Sequence, residues 1–293
     1  MDILEIAEKL AIPSSDDGEK FENKDRLKAI KKLLKNSGYR KIMKGKLYRL
    51  YGQKELQDLP KDLILVSTHV DCLQSKKNFS QNDEFIHGIF DNAATNAAIV
   101  WLMLHNKLPE HVIVGFTGDE EYDSGGAIEL GNALKEQGKN VKVVVLDVTS
   151  SGWEAKADFT IENNFWRKEE GHTWGRKILE LANASEYEWR FVSSKSDEKD
   201  GYLDTSLFGR EVPCDKLEEG DAEYGAAGTD ESWTYEEWQS DEKEENLAFN
   251  VFSLCIPCSA QDADEMHSNK GFDIRKTSFK RYIRFLQAVL EIV

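Results

Sequence analysis

Four cysteines in 293 residues are too few for a disulfide framework. The N-terminus, MDILEIAEKL, has no basic start followed by an apolar run, so no secretory signal is expected. Both features point to a reducing compartment, the cytoplasm. Long hydrophobic runs are also missing. VKVVVL (141–146) is among the longest and falls far short of a bilayer, so no membrane partner is expected. Positive charge is scarce: the net charge is −16, which argues against nucleic acid as a partner. The one basic stretch, 24–61, carries 13 basic and 3 acidic side chains but no repeated interleaved aromatics for base stacking. No internal repeat and no break in composition marks a second domain. Residues 1–293 read as one α/β domain.

What is present has a regular layout. Helical spacing covers 2–11 and 24–36, where Leu27, Ile30, Leu33 and Leu34 share a face opposite lysines. Residues 41–51 alternate like a strand. Apolar strands are predicted at 62–68, 111–118 and 141–148. Between them lie a buried helix (92–104) and a helix with a serine start and a glycine stop (124–138). Further on, helices are predicted at 172–184, near 202–208 and at 276–291, and strands near 187–193 and 249–256. Continuously apolar strands alternating with helices indicate a three-layer αβα architecture with a mixed, mostly parallel central sheet. The stretch 215–245 carries 13 acidic and 2 basic side chains, so 211–245 reads as an acidic loop or small insertion. The acidic and basic stretches are solvated faces, or else attract each other within a chain or between subunits of a homo-oligomer. Cys255 and Cys258 form a C-x-x-C, but in a strand running into a loop, which suits packing better than redox chemistry.

Acids and histidines follow the strands. LILVST ends in His69-Val70-Asp71. VIVGFTG ends in Asp119-Glu120-Glu121. VKVVVL ends in Asp147. Asp91 precedes the 92–104 helix, and the strand near 249–256 leads to His267. Ligands of open α/β sheets bind at the carboxyl ends of strands. Taken singly, an H-x-D or an Asp-Glu-Glu run is commonplace. Together, buried near one edge, they would be costly without a cation, and the residue types suit Zn²⁺, Mn²⁺ or Co²⁺.

In this order and context the residues resemble the co-catalytic zinc exopeptidases, a group that includes bacterial leucyl-type aminopeptidases, tetrahedral aminopeptidases and peptidase T. STHVDCL, GIFDNAATNAA, FTGDEEYDSGGA, VVVLDVTS and DEMHSNKG carry the resemblance, with GAAGTDESW as a further Gly-Thr-Asp segment; it covers roughly residues 60–290. The resemblance implies two divalent ions, zinc first and manganese or cobalt as alternatives. His69 and Asp147 would bind one, Glu121 and His267 the other, and Asp91 would bridge them. Glu120 would be the general base and Asp71 would orient His69. The Asp91–Asn92 peptide would be cis. The lid domain of larger members is not expected, because only 120 residues separate Asp147 from His267.

The implied activity is an aminopeptidase on short peptides, whose free amine an acidic rim would attract. A deacylase or dipeptidase acting on N-acyl or aminoacyl small molecules is the nearest rival. Relatives that cyclise N-terminal glutamine with one zinc fit less well, given the full ligand set. A metal-binding interaction protein without turnover is the rival from another class, and Glu120 argues against it. Trp153, Trp166, Trp174, Trp233 and Trp238 are expected in the core, with one or two open to a substrate pocket. His87 stands just before the Asp91 loop and could reach the site, although a histidine so placed is more often a loop residue or one that supports a ligand from outside.

Overall fold

A computed structural model describes residues 1–14, 22–162, 173–193, 214–216, 231–232, 234–235, 239 and 251–292. The predicted helix near 202–208 and nearly all of the acidic 211–245 stretch lie outside them. So do Trp166, Trp233, Trp238 and His172.

The sheet grows from the four apolar strands. β3 (Asp62–His69), β6 (Val112–Thr117), β7 (Asn140–Thr149) and β11 (Val251–Pro257) run parallel in the spatial order β6-β3-β7-β11. Continuous Val, Ile and Leu runs form such strands because both faces are covered. On one edge, β2 (Tyr48–Gly52) pairs antiparallel with β6, and β1 (Arg40–Lys44) with β2. On the other, β8 (Phe159–Glu162) runs antiparallel to β11, and β9 (Trp189–Ser193) and β10 (Cys214–Lys216) continue parallel to β8. The result among the described residues is a nine-stranded, mixed, mostly parallel sheet.

Helices cover both faces. α1 (Ile3–Leu10) and α2 (Lys24–Leu33) lie against α3 (Ala93–Leu104), which packs on β3, β7 and β11. α3 is apolar nearly all round, as a helix sandwiched between sheet and helices must be. Thr68 faces it, with Oγ1 3.0 Å from Thr95 Oγ1. Ser67 faces the opposite way, its hydroxyl 3.0 Å from Glu231 Oε1 and from Tyr235 Oη. α4 (Gly125–Glu136) packs on β2 and β6. α5 (Thr173–Ala184) packs against α6 (Lys276–Leu290), and the Tyr282 hydroxyl of α6 donates to Leu254 O of β11 at 2.9 Å. This is the expected three-layer αβα architecture. No helix among the described residues is long and apolar enough to cross a membrane.

Three local readings change. Residues 41–51 form a hairpin, not one strand: the chain turns at 45–47, where Glu129 accepts from the backbone N–H of Lys46 and Leu47 at 2.8 and 2.7 Å. Ser124 precedes α4 but makes no side-chain cap bond there, and its φ is +49°. A second sheet, in the order β12-β5-β4, joins β4 (Phe79–Gln81), β5 (Phe85–Gly88) and β12 (Phe272–Arg275).

Gly126 fixes the join between α4 and the loop after β6. Its N–H donates to Gly118 O at 3.0 Å, and Gly118 N–H donates to Leu47 O at 2.8 Å. A β-carbon here would sit 2.5 Å from Gly118 O and 2.8 Å from Leu47 O. Backbone cannot retreat as a side-chain tip can. Gly126→Ala is expected to cost about 1–3 kcal/mol, with a Tm fall of roughly 2–4 °C per kcal/mol, read by calorimetric unfolding.

Candidate metal centre

Each candidate residue sits where a strand or helix ends. His69 closes β3, and Asp71 follows two residues later. The loop after β6 carries Asp119, Glu120 and Glu121; Asp119 adopts φ +68°, a left-handed conformation that aspartate tolerates better than most residues. Asp147 lies near the end of β7. Asp91 precedes α3 across a cis peptide bond to Asn92. His267 follows a single helical turn, Ala263–Met266, whose N-terminus is capped by Asp262 through Glu265 N–H at 2.8 Å.

Buried amides splice these ends together. Asn92 Nδ2 donates to Leu146 O at 2.6 Å, beside Asp147, and Asn96 Nδ2 donates to His69 O at 2.8 Å. Gln74 Nε2 donates to Met266 O at 2.7 Å, beside His267.

The structure brings all seven predicted residues together. His69 Nε2 lies 3.2 Å from Asp91 Oδ1, 3.5 Å from Asp147 Oδ1 and 3.8 Å from Glu120 Oε2. His267 Nε2 lies 3.4 Å from Asp91 Oδ2 and 3.2 Å from Glu121 Oε2. Asp91 thus turns one carboxylate oxygen to each histidine. Behind His69, Asp71 Oδ1 is 3.5 Å from Nδ1, and Asp71 Oδ2 accepts from Glu121 N–H at 3.2 Å. His69, Asp71, Asp91 and Asp147 are buried, whereas the His267 side chain is 31% exposed, so solvent reaches the centre from its side.

These distances can be tested against a cation. Donors bound at 2.0–2.1 Å to one tetrahedral ion stand roughly 3.3–3.4 Å apart. The spacings of 3.2 and 3.5 Å around His69, and of 3.4 and 3.2 Å around His267, match that edge length. Three sets have ligand atoms close enough to hold an ion: His69 with Asp91 and Asp147, His267 with Asp91 and Glu121, and His69 with Glu120 and Glu121. Both His69 ring nitrogens and Glu121 Oε1 are buried without a hydrogen-bond partner. Orphaned donors and acceptors of this kind are costly unless an ion or water engages them. The residues present fit a divalent cation bound by nitrogen and oxygen.

Without such a cation, protons carry the balancing charge. Burial, then the charge of Asp91, pushes the Glu121 carboxyl up to about 8. Its contact with Asp91, against the effect of burial, raises the His267 imidazole to about 9. Burial disfavours the imidazolium of His69, but Glu120 and Asp147 outweigh it and hold that pKa well above the usual value. Burial also raises Glu120 and Asp147. Asp91 is driven the other way: burial opposes its ionisation, yet the close approach of His267 and His69 keeps it well below the usual carboxylate range.

Other expectations meet a plainer outcome. His87 does not reach the centre; its Nδ1 is 2.8 Å from Asp273 Oδ1 and its Nε2 2.9 Å from Lys270 O, within the small sheet. Trp174 is buried against Phe252, and Trp153 lies beneath the Arg275 guanidinium, 3.6 Å from its ring centroid. Cys72, Cys255 and Cys258 are free and buried, and burial pushes the Cys258 thiol up to about 12, so the C-x-x-C lacks a reactive thiolate.

Two buried residues beneath the centre escape the sequence reading. Glu231, one residue after the Gly-Thr-Asp segment, lies against Ser67, and burial raises its carboxyl to about 7. Arg26 occupies the apolar side of α2, four residues before Ile30. That position was the available signal.

No family model and no curated relative matches the chain. Solved structures do. A TET aminopeptidase from a marine sediment archaeon of the Thaumarchaeota matches with a TM-score of 0.67 at 10% identity, over 99% of this chain and 97% of that one. The TET1 peptidase of Pyrococcus horikoshii, which can assemble into a tetrahedron or a large octahedral shell, matches with a TM-score of 0.61 at 12% identity, over 99% of both chains. The aminopeptidase PepT of Bacillus cereus matches with a TM-score of 0.51 at 11% identity, over 99% and 97%. The chain therefore has the fold of these aminopeptidases.

An ion entering the centre must displace the protons on Glu121 and His267. Metal binding is expected to release protons at neutral pH. Affinity should rise with pH towards about 9, where His267 has lost its proton, and fall as pH drops below about 8, where Glu121 gains one. Calorimetric zinc titrations in buffers of different ionisation enthalpy measure both effects; a buffer-independent heat would count against them.

Proposed function

We propose that the chain is a metal-dependent aminopeptidase acting on short peptides with a pair of divalent ions, zinc by preference and manganese or cobalt as alternatives. The observation that carries this reading is the division of the Asp91 carboxylate between two histidine–acid sets at ion-sharing distances, with Glu120 alongside. The fold shared with aminopeptidases supports it. In this reading His69 and Asp147 would hold one ion and His267 and Glu121 the other, with Asp91 contributing to both. Asp71 fixes the orientation of His69 through Nδ1.

When bound, such ions polarise the scissile carbonyl and lower the pKa of an attacking water. Glu120 is the general base. It takes a proton from that water as the oxygen attacks the carbonyl carbon. It returns the proton to the leaving nitrogen as the C–N bond breaks. Burial, with the charges of Asp147 and Glu121 acting against the pull of His69, raises the affinity of Glu120 for the proton it must hold between these steps. The net charge of −16 favours a substrate that arrives with a free α-amine. A deacylase or dipeptidase on the same scaffold differs only in how the substrate's end is held.

The catalytic machinery is taken as one domain over 1–293, with 211–245 as an acidic loop or small insertion whose Glu231 and Tyr235 are buried against Ser67. Assembly into a homo-oligomer is part of the reading, as is a reducing, cytoplasmic setting for the buried free thiols.

A panel of aminoacyl amides, short peptides and N-acyl amino acids, assayed with zinc, manganese or cobalt, separates the readings. Aminoacyl substrates should turn over. Glu120→Gln is expected to lose about 10²–10⁴ in kcat while still binding two ions. His267→Ala should bind one ion fewer than wild type, read by metal analysis after dialysis. A wild type that hydrolyses nothing on the panel would sink the peptidase reading.

A further inference from the structure

Arg26 is fully buried, and its guanidinium is bound by main-chain carbonyls throughout. Nε donates to Leu10 O at 3.1 Å. Nη1 donates to Val70 O at 3.0 Å, to Asp71 O at 3.3 Å and to Asp91 O at 3.4 Å. Nη2 donates to Ile12 O at 3.2 Å and to Asp91 O at 3.3 Å. All the nitrogens of the fork are engaged, as a buried cation requires.

The choice of carbonyls is informative. Two belong to residues whose carboxylates face His69. Asp91 is gripped at its backbone by both Nη atoms while its side chain spans the two histidines. Asp71 is gripped at its backbone while its side chain meets His69 Nδ1 and Glu121 N–H. Of the other three, Val70 O lies next to Asp71 in the same loop, and Leu10 O and Ile12 O belong to the end of α1 and the chain leaving it. One side chain therefore joins the N-terminal helices to both loops that carry acids into the centre.

We infer that Arg26 is a positioning residue for the metal centre, setting the backbone of Asp71 and Asp91 so that their carboxylates converge on His69 and His267. The inference rests on the metal-centre reading above. A lysine would place one compact ammonium with three donors where the fork spans two loops, so it would not substitute. Removing groups that orient ligands typically costs 10–100-fold in metal affinity.

The test is a competition titration of zinc against a chromogenic chelator, with wild type, Arg26→Ala, Arg26→Lys and the exposed control Lys28→Met. Wild type and Lys28→Met should bind two ions alike. Folded Arg26→Ala should bind at least tenfold more weakly, and millimolar guanidinium chloride should restore the affinity where urea does not. Folded Arg26→Ala with wild-type affinity would overturn the inference. So would a loss that guanidinium does not specifically repair, since that assigns the residue to packing alone. If Arg26→Ala does not fold, Arg26→Lys decides: weakened binding supports the role and unchanged binding refutes it. Failure of both variants to fold makes Arg26 a stability element and also overturns the inference. A wild type that binds no ion removes the metal-centre reading and the inference together, whereas normal wild type with unaffected variants removes the inference alone.

Discussion

Asp91 lies between two imidazoles, with one oxygen 3.2 Å from His69 Nε2 and the other 3.4 Å from His267 Nε2. Those three residues come from the end of β3, the start of α3 and a turn near the C-terminus, so a large part of the chain must close around one carboxylate. The amides of Asn92, Asn96 and Gln74 explain how it does so. Each donates to a main-chain carbonyl beside a residue of the centre, and each is wholly buried. A buried amide left unpaired costs about 1–3 kcal/mol, so any slippage of one segment against another is opposed several times over. The backbone is set first, and the side chains of the centre inherit their positions from it.

The same crowding sets an electrostatic problem. Five carboxylates and two imidazoles share a small, mostly buried volume. Burial and then like charge push these groups apart, and the resulting spread is large: Asp91 stays ionised while Glu121 rises to about 8. The protein answers partly with positive charge of its own. Arg26 brings a permanent cation to the underside of the loops but spends its hydrogen bonds on carbonyls and none on a carboxylate of the centre. A cation that paired with those acids directly would occupy the oxygens that the proposed metal centre needs.

The strands of the centre were legible because parallel strands covered on both faces must be continuously apolar, and β3, β6, β7 and β11 are. The candidate residues were legible because they stand immediately after those runs. The hairpin at 40–52 was not, since its alternation continues through a three-residue turn that Glu129 closes from a distant helix. β4, β5 and β12 were missed for a related reason: FSQ, FIHG and FDIR are short and polar, and only their pairing makes them strands. Arg26 hides in a lysine-rich helix, where one more basic residue draws no notice. Its placement four residues before Ile30 is a helical coincidence until the structure shows which carbonyls lie beneath it. Glu231 sits in an acidic stretch, where composition suggests solvent and the packing against Ser67 says otherwise.

The reversal of direction at β8 separates two jobs. Since β8, β9 and β10 run opposite to β11, their carboxyl ends lie at the edge away from His69, Asp147 and His267. None of the seven centre residues lies on or directly after a strand in this half. The splices between centre segments, made by Asn92, Asn96 and Gln74, touch no strand of this half. Side chains on β8, β9 and β10 can therefore differ without touching the bonds that set the seven residues.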